Sequence, residues 1–563
     1  MHLFIVAVLF FLSGLTGLVY EVLWMKELSL LFGNTAQATA TTLATFFTGM
    51  AAGGWFWGRR SESLANPLVT YGVLEAAIAI TALMYFGILE GYQYLYGVLY
   101  PLSGPLRSRL LGVKFVLSLG ILFPPAFFMG GTWPVLTQHL AGQQTRFANR
   151  ATILYTVNTL GAALGAWVAG FYLPRWFGFD QSYLLAIGLT ALVAGSAIFI
   201  GYFRGTNPTT SSDESQQAAD SGPDQRWLRL PPFELGIIAI FSGLGTLGLQ
   251  VLWTNMFTQI LHNSVYTFSI ILVVFLIGLA LGAGVANWLI RRVSASLNLL
   301  AGLLIGSGLL IGLTPFVFYS YSNGLEYFAR SANWNSYVLD VTGATGLVLL
   351  LPCIGIGTVF PYLLKLAKAD RESPGRIVGR LAALNTAGSI AGSIAAGFFI
   401  LEFIGLWGGI QLVSALYFLA AFIVINRAEQ APSYLRYAPV AGLILLISVI
   451  NPSNLPLINV DSANNEQIID VKQGSSGTVA VVEKNGSRRI KVNNYYTLGS
   501  TGARQWEELQ AHIPLFVHPD PKKVFFIGMG TGITAGASLL HPVDEVRVTE
   551  IVPEAVSAAQ EYF

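Results

Sequence analysis

The chain has 563 residues, of which 54% are apolar and only 11% charged, with a mean hydropathy of +0.60. An ordinary soluble domain carries about 25% charged residues, so most of this chain is built for lipid. A net charge of +2, one cysteine and six histidines without ligand spacing exclude a nucleic-acid binder, an internal disulfide and a histidine metal centre.

In chain order, apolar runs near the roughly 20 residues needed to span hydrocarbon predict helices at 3–25, 35–58, 68–89, 110–136, 151–173 and 182–203. The first run, Leu3 to Trp24, has no charged flank and no small-residue cleavage site. It reads as a membrane helix, not a removed signal peptide. Residues 204–229 are rich in Ser, Asp, Gln and Pro and read as a flexible linker. A second set of helices follows at 233–254, 264–290, 297–321, 339–366, 381–402 and 409–426. The expected division is a first six-helix repeat over 1–203, the linker, a second repeat over 230–428, a thirteenth helix over 434–451 and a soluble domain over 452–563.

The two sets repeat one another. "FLSGLTGLVYEVLW" (11–24) aligns with "IFSGLGTLGLQVLW" (240–253), and "YTVNTLGAALGAWVAG" (155–170) with "AALNTAGSIAGSIAAG" (382–397). Glu21 thereby meets Gln250, Asn158 meets Asn385, and Gly161 and Gly165 meet Gly388 and Gly392. Six helices is an even number, so both units enter from the same side and the repeat is parallel. Gly-x-x-x-Gly lets helix backbones approach closely. Pro124, Pro125 and Pro134, with Pro352 and Pro361, are expected to break the fourth helix of each unit. Such breaks mark a transport site or are kinks that neighbours satisfy. A carboxyl inside a membrane helix is costly, so Glu21 is a site candidate; the bland alternative is a protonated or paired Glu helped by Lys26. Gln250, Asn158 and Asn385 join it as a possible intramembrane site. Cys353 reads as a small packing residue.

Placing the N-terminus in the cytoplasm puts Arg59, Arg60, Arg291, Arg292, Arg427 and most other basic residues inside. The segment 434–451 contains "VAGLILLISVI", which is apolar all round and short for a span. If it crosses, the tail lies outside the cytoplasm.

In the tail, "TVAVVEKNGSRRIKVN" predicts a hairpin turning at Asn485-Gly486. A helix over "RQWEELQAHIPLFVHP" leads to the strand Lys523–Ile527, the turn Gly528-Met529-Gly530-Thr531-Gly532, a short helix, and the strand Glu545–Thr549 ending on Glu550. Glycines allow a sharp turn and close approach of a ligand to a helix N-terminus. An acid at the tip of the second strand can accept from ribose hydroxyls. The fold class expected is a polytopic α-helical membrane protein of about 12–13 spans carrying a β-hairpin and a partial Rossmann-like, methyltransferase-type α/β domain.

Through "QAHIPLFVHPDPKKVFFIGMGTGITAGA" and "VTEIVPEAV" the tail resembles spermidine synthase. With "SGLTGLVYEVLW" and the helical repeats in front, nearly the whole chain is similar to the bacterial fused major-facilitator/spermidine-synthase-like membrane proteins. The resemblance implies decarboxylated S-adenosylmethionine or S-adenosylmethionine as ligand, no metal, and location in the bacterial inner membrane. Gly528, Gly530 and Gly532 would line the sulfonium nucleoside and Glu550 would bind its ribose. Tyr496, Glu508 and His512 would lie toward the substrate. The chain departs from the family at Asn493-Asn494-Tyr495-Tyr496, at Gly502-Ala503 and at Trp506, where the diamine-binding acids and a Tyr are expected. The family's catalytic Asp is expected on a later strand, beyond Phe563. Four readings therefore stand: an aminopropyltransferase-like enzyme, a methyltransferase, a polyamine or small-solute transporter, and a structural or assembly subunit whose partners are the bilayer and other subunits.

Overall fold

The computed structural model describes residues 2–32, 35–103, 107–140, 147–203, 232–261, 264–293, 296–326, 333–366, 374–428, 431–449, 451–452, 455–461, 464–474, 476–494 and 496–563. The expected linker 204–229 lies outside the described residues. The first unit contains α1 (His2–Phe32), α2 (Ala36–Arg60), α3 (Pro67–Ser103), α4 (Arg107–Leu140), α5 (Phe147–Phe171) and α6 (Leu173–Phe203). The second contains α7 (Pro232–Phe257), α8 (Val265–Arg292), α9 (Leu297–Tyr321), α10 (Trp334–Leu366) and α11 (Pro374–Ala395). It continues through a π turn at Ala396–Ile400 into α12 (Leu401–Phe403) and α13 (Gly405–Ile425). Then comes α14 (Ser433–Ser448).

Among the described residues ten helices are long and apolar enough to cross a membrane by length and composition. Among the described residues both units have the expected six helices, and α14 follows as a shorter thirteenth. The other helices of the two units, α2 and α5, are each 25 residues long but rich in Ala, Thr and Gly. Of these, α2 falls short in apolarity, and α14 falls short in length.

The two units pack by one scheme. In the first, α1 lies on α5, α2 on α4 and α3 on α6; in the second, α7 lies on α11, α8 on α10 and α9 on α13. The glycines explain the closeness of these crossings. A Cβ at Gly161 or Gly165 would collide with the carbonyls of Phe11 and Leu15. A Cβ at Gly388 or Gly392 would collide with those of Ile240 and Leu244, the repeat partners of Phe11 and Leu15. Gly178 (φ 75°) and Gly405 (φ 79°) also match, at the offset that relates Asn158 to Asn385, and both kink the chain in a left-handed conformation. The prolines do not break the fourth helices. Both α4 and α10 run on through Pro124, Pro125 and Pro134 and through Pro352 and Pro361. Tight packing on α2 and α8 holds them, since neighbouring helices can satisfy or shield the backbone that proline frees.

The helix α14 returns along α13. Gln411 Nε2, near the start of α13, donates to Leu446 O and Asn451 Oδ1 at the end of α14. The beginning of α14 follows Arg427, which donates to Glu234 at the start of α7. The tail therefore leaves from the face opposite the rim that holds Arg427. On that rim Arg59 and Arg60 end α2, over the rings of Trp55 and Phe56.

The tail opens with an antiparallel sheet in the order β1 (Glu466–Gly474), β2 (Gly477–Lys484), β3 (Ser487–Val492), β4 (Tyr496–Ser500). Asn485 (φ 53°) and Gly486 (φ 77°) make the tight turn of the expected hairpin. Then α15 (Arg504–Val517) leads to β5 (Lys523–Ile527), α16 (Ile533–Ser538), β6 (Glu545–Thr549) and α17 (Pro553–Tyr562). Strands β5 and β6 pair in parallel, Val524 beside Val546 and Ile527 beside Thr549. Ala511 and Leu515 of α15 cover one face of this pair with Val524 and Phe526, while α17 packs on β2 and β3.

Among the described residues, side chains fasten the tail to the bundle at four points. Gln473 Oε1 accepts from Leu406 N, Gln259 Nε2 donates to Thr478 Oγ1, Asn494 Nδ2 donates to Gln259 O, and Asn459 Nδ2 donates to Gly324 O.

Candidate functional site

The predicted site residues fall into two groups, one in the tail and one inside the bundle. In the tail, β5 runs into a turn whose glycines all adopt positive φ: Gly528 at 97°, Gly530 at 56° and Gly532 at 80°. A side chain is strained in that region, so this backbone is available to glycine alone at little cost. Gly528 N also donates to Thr549 O, tying the turn to the end of β6. A Cβ at Gly530 would press on Leu498 O of β4, so the turn is wedged against the antiparallel sheet.

Glu550 stands at the tip of β6, as expected, and its carboxylate faces the turn. Oε2 accepts from Met529 N at 2.9 Å and Gly530 N at 3.3 Å. Oε1 accepts from Ile551 N at 2.8 Å and Val552 N at 3.0 Å. A carboxylate has about four lone-pair positions, and here four backbone donors address them. Partial burial acts to raise the Glu550 pKa, but the N–H groups of Met529, Val552, Gly530 and Ile551 outweigh it and hold the carboxyl below its ordinary value.

Glu507 was missed by sequence reading. Its Oε2 accepts from Thr531 Oγ1 at 2.6 Å, its Oε1 from Ser500 N at 2.7 Å, and its backbone carbonyl from Thr534 Oγ1 at 2.9 Å. It thus joins β4, the glycine turn and α16. The signal was available: Glu507 lies four and eight residues before the buried Ala511 and Leu515, on one face of α15. Glu508, the residue the resemblance suggested, points away and pairs with Arg504 at 2.7 Å. His512 Nδ1 lies 2.8 Å from His541 Nε2, beyond the far end of α16 from the glycine turn. Tyr496 opens β4 with an exposed ring, two residues before Leu498. The structure therefore brings Gly528, Gly530, Gly532 and Glu550 together and leaves Glu508 and His512 apart from them. Asn493 and Asn494, where the family pattern has other residues, serve the fold. Asn493 exchanges hydrogen bonds with Thr478, and Asn494 holds the tail to Gln259.

The second group meets inside the bundle. Glu21, Gln250, Asn158 and Asn385 all line one cavity of about 390 Å³ between the two repeats. Phe46, Phe47 and Phe275 contribute its apolar wall. Glu21 and Gln250 are buried, and Glu21 Oε1 and Gln250 Nε2 have no hydrogen-bond partner among the described residues. Lys26 does not pair with Glu21: its Nζ lies 5.7 Å from the centre of the Phe179 ring. Ser13, also on the cavity, donates to Glu75 Oε1 at 2.5 Å, a long-range partner invisible in the sequence. No cluster of three or more His, Cys, Asp or Glu able to hold a metal occurs among the described residues.

No family model matches the chain. A polyamine aminopropyltransferase of Leptospira interrogans is 25% identical over 325 residues, covering 56% of this chain and 60% of that protein. That alignment is longer than the stretch from Asn451 to Phe563, so it takes in membrane helices too. A polyamine aminopropyltransferase of Caldicellulosiruptor saccharolyticus is 43% identical over 58 residues, 10% of this chain and 21% of that protein. The chain is a multi-pass membrane bundle with a small α/β tail, and over part of its length it is similar to polyamine aminopropyltransferases. It spans less than two thirds of the length of these curated relatives. Among solved structures, the nucleoside transporter NupG is 15% identical with a TM-score of 0.46, over 77% of this chain and 100% of that one.

Proposed function

We propose that the tail binds a sulfonium nucleoside, decarboxylated S-adenosylmethionine, on the Gly528–Gly532 turn. The observation that supports this most is the approach of the Glu550 carboxylate to Met529 N and Gly530 N across a turn of three left-handed glycines. An adenosine ribose presents two adjacent hydroxyls, and an acid at this strand tip is placed to accept both. Gly530 lets the turn sit against Leu498 of β4, and Glu507 fixes the turn through Thr531. With its four positions addressed by backbone donors, Glu550 gives up some of them when the ribose arrives. In such a reaction the sulfonium carbon is attacked by an amine and the thioether leaves. The sulfur already carries positive charge, so a protein need chiefly align the partners and take up the amine proton. A polyamine is the acceptor that the named relatives suggest.

The domain division proposed is that of the sequence reading, with two helical repeats ahead of the tail. We place the N-terminus and the Arg59, Arg60 and Arg427 rim in the cytoplasm of a bacterial inner membrane, by the excess of basic residues there. The tail then faces away from the cytoplasm, because it is fastened to the opposite helix ends. Further subunits are proposed to cover the apolar surface around Phe525 and Ile527, which stay exposed in this chain. Titration of decarboxylated S-adenosylmethionine into the full chain in nanodiscs tests the proposal. Micromolar one-site binding is expected, lost in Gly530→Leu. The absence of heat with the wild-type chain contradicts it.

A further inference from the structure

The cavity between the repeats is separate from the tail site and is built from different chemistry. Its two polar anchors are repeat partners, one a carboxyl and the other an amide: Glu21 on α1 and Gln250 on α7. Both side chains are more than nine-tenths buried, and each has a polar atom without a partner among the described residues. Leaving such atoms unmet costs free energy, and two of them at pseudo-equivalent places on one cavity mark it as a ligand site. Among the described residues Glu21 is the only ionisable side chain on the wall. Asn158, Asn385 and Ser389 are neutral, and Phe46 and Phe275 provide apolar surface.

We propose that this cavity binds a small organic monocation whose ammonium group meets Glu21 and whose carbonyl or hydroxyl oxygen accepts from Gln250. Among the described residues the wall itself carries one carboxyl, with Glu75 held off the cavity behind Ser13 and Tyr71, so one positive charge is matched directly and a second or third is not. Burying an unmatched charge is strongly unfavourable. The site therefore selects against polyamines, even though the tail resembles enzymes that handle them. A volume of about 390 Å³ lies at the small end of ligand cavities and suits a compact amine. The amide on α7 makes the site polar in one direction, so the ligand sits with its amine toward the first repeat. This inference does not rest on the proposed role of the tail.

The probe is 4-aminobutanamide, which has one ammonium and one amide carbonyl, compared with spermidine by calorimetry on the full chain in nanodiscs. The wild-type chain is expected to bind 4-aminobutanamide at one saturable site and more tightly than spermidine. Glu21→Gln weakens it about tenfold or more, as expected for loss of a charged hydrogen-bond partner. The double variant Glu21→Gln with Gln250→Glu moves the carboxyl to the other repeat and recovers binding, which separates recognition from misfolding. Gly530→Leu in the tail leaves this binding unchanged. No binding of 4-aminobutanamide by the wild-type chain, tighter binding of spermidine, or no recovery in a folded double variant overturns the proposal.

Discussion

The two helical repeats share their crossings and differ in what they bury. In the first, Glu21 and Glu75 lie inside the helices with no ion-pair partner among the described residues. In the second, the buried acid is Glu234, which sits at a helix start and is neutralised by Arg427. The close glycine contacts recur in both repeats, because two backbones at a crossing need the same clearance twice. The acids do not recur, so duplication explains the scaffold and asymmetry marks where the scaffold was put to use. The tail repeats the lesson on a smaller scale. Its hairpin and parallel strands are generic, whereas Glu507 and Glu550 converge on one turn.

The sharpest way to break the comparison is through the shared crossings. Gly161→Leu and Gly388→Leu should each abolish monodisperse protein on size exclusion, because the new side chain enters the backbone of α1 or α7. Gly188→Leu and Gly306→Leu, where a side chain meets open space, should leave the profile unchanged. Equal behaviour of all four would show that the crossings do not govern packing.

The asymmetry comes next. Ser13→Ala removes one of the two donors of the buried Glu75, leaving Tyr71, and should cost about 1 kcal/mol in unfolding of the bundle. Glu75→Gln retains an oxygen for Ser13 and should cost less. In the tail, Glu507→Ala frees Thr531 and Ser500 together and should weaken nucleoside binding about tenfold, while Glu508→Ala should leave it unaltered.

Smaller still is the hairpin. Gly486→Ala forces a side chain into a left-handed turn and should lower tail stability by about 1 kcal/mol in denaturant unfolding, with no effect on the bundle. Acid should act on the tail through Glu550. Its folded pKa lies below the unfolded value, so its contribution is present above the ordinary Glu pKa and fades as pH falls through the folded value. Thermal melts should show the wild-type tail losing stability on acidification below about pH 4, with a flatter profile in Glu550→Gln.

Much of this architecture was legible because it is written in local patterns. Apolar runs gave the helices, "SGL" and Asn-x-x-Gly matches gave the repeat, and Asn485-Gly486 gave the hairpin. The strand, glycine turn, strand and Glu550 followed from adjacent residues. The continuity of α4 and α10 through their prolines was not legible, because it depends on neighbours that α2 and α8 supply. The Ser13–Glu75 bond joins different helices, and the anchoring of Asn494 to Gln259 joins the tail to the bundle. Nothing local announces such pairs. Choosing Glu507 over Glu508 required knowing which face of α15 is covered. The meeting of Glu21, Gln250, Asn158 and Asn385 was suggested by their repeat positions, but the cavity itself exists only once both repeats are packed.

The most direct measurement is a calorimetric cross on the full chain, with decarboxylated S-adenosylmethionine titrated into the wild type, Glu550→Ala and Glu21→Gln. The account predicts micromolar one-site binding to the wild type and to Glu21→Gln, and its loss in Glu550→Ala. Undiminished heat in Glu550→Ala, or none in the wild type, would contradict it.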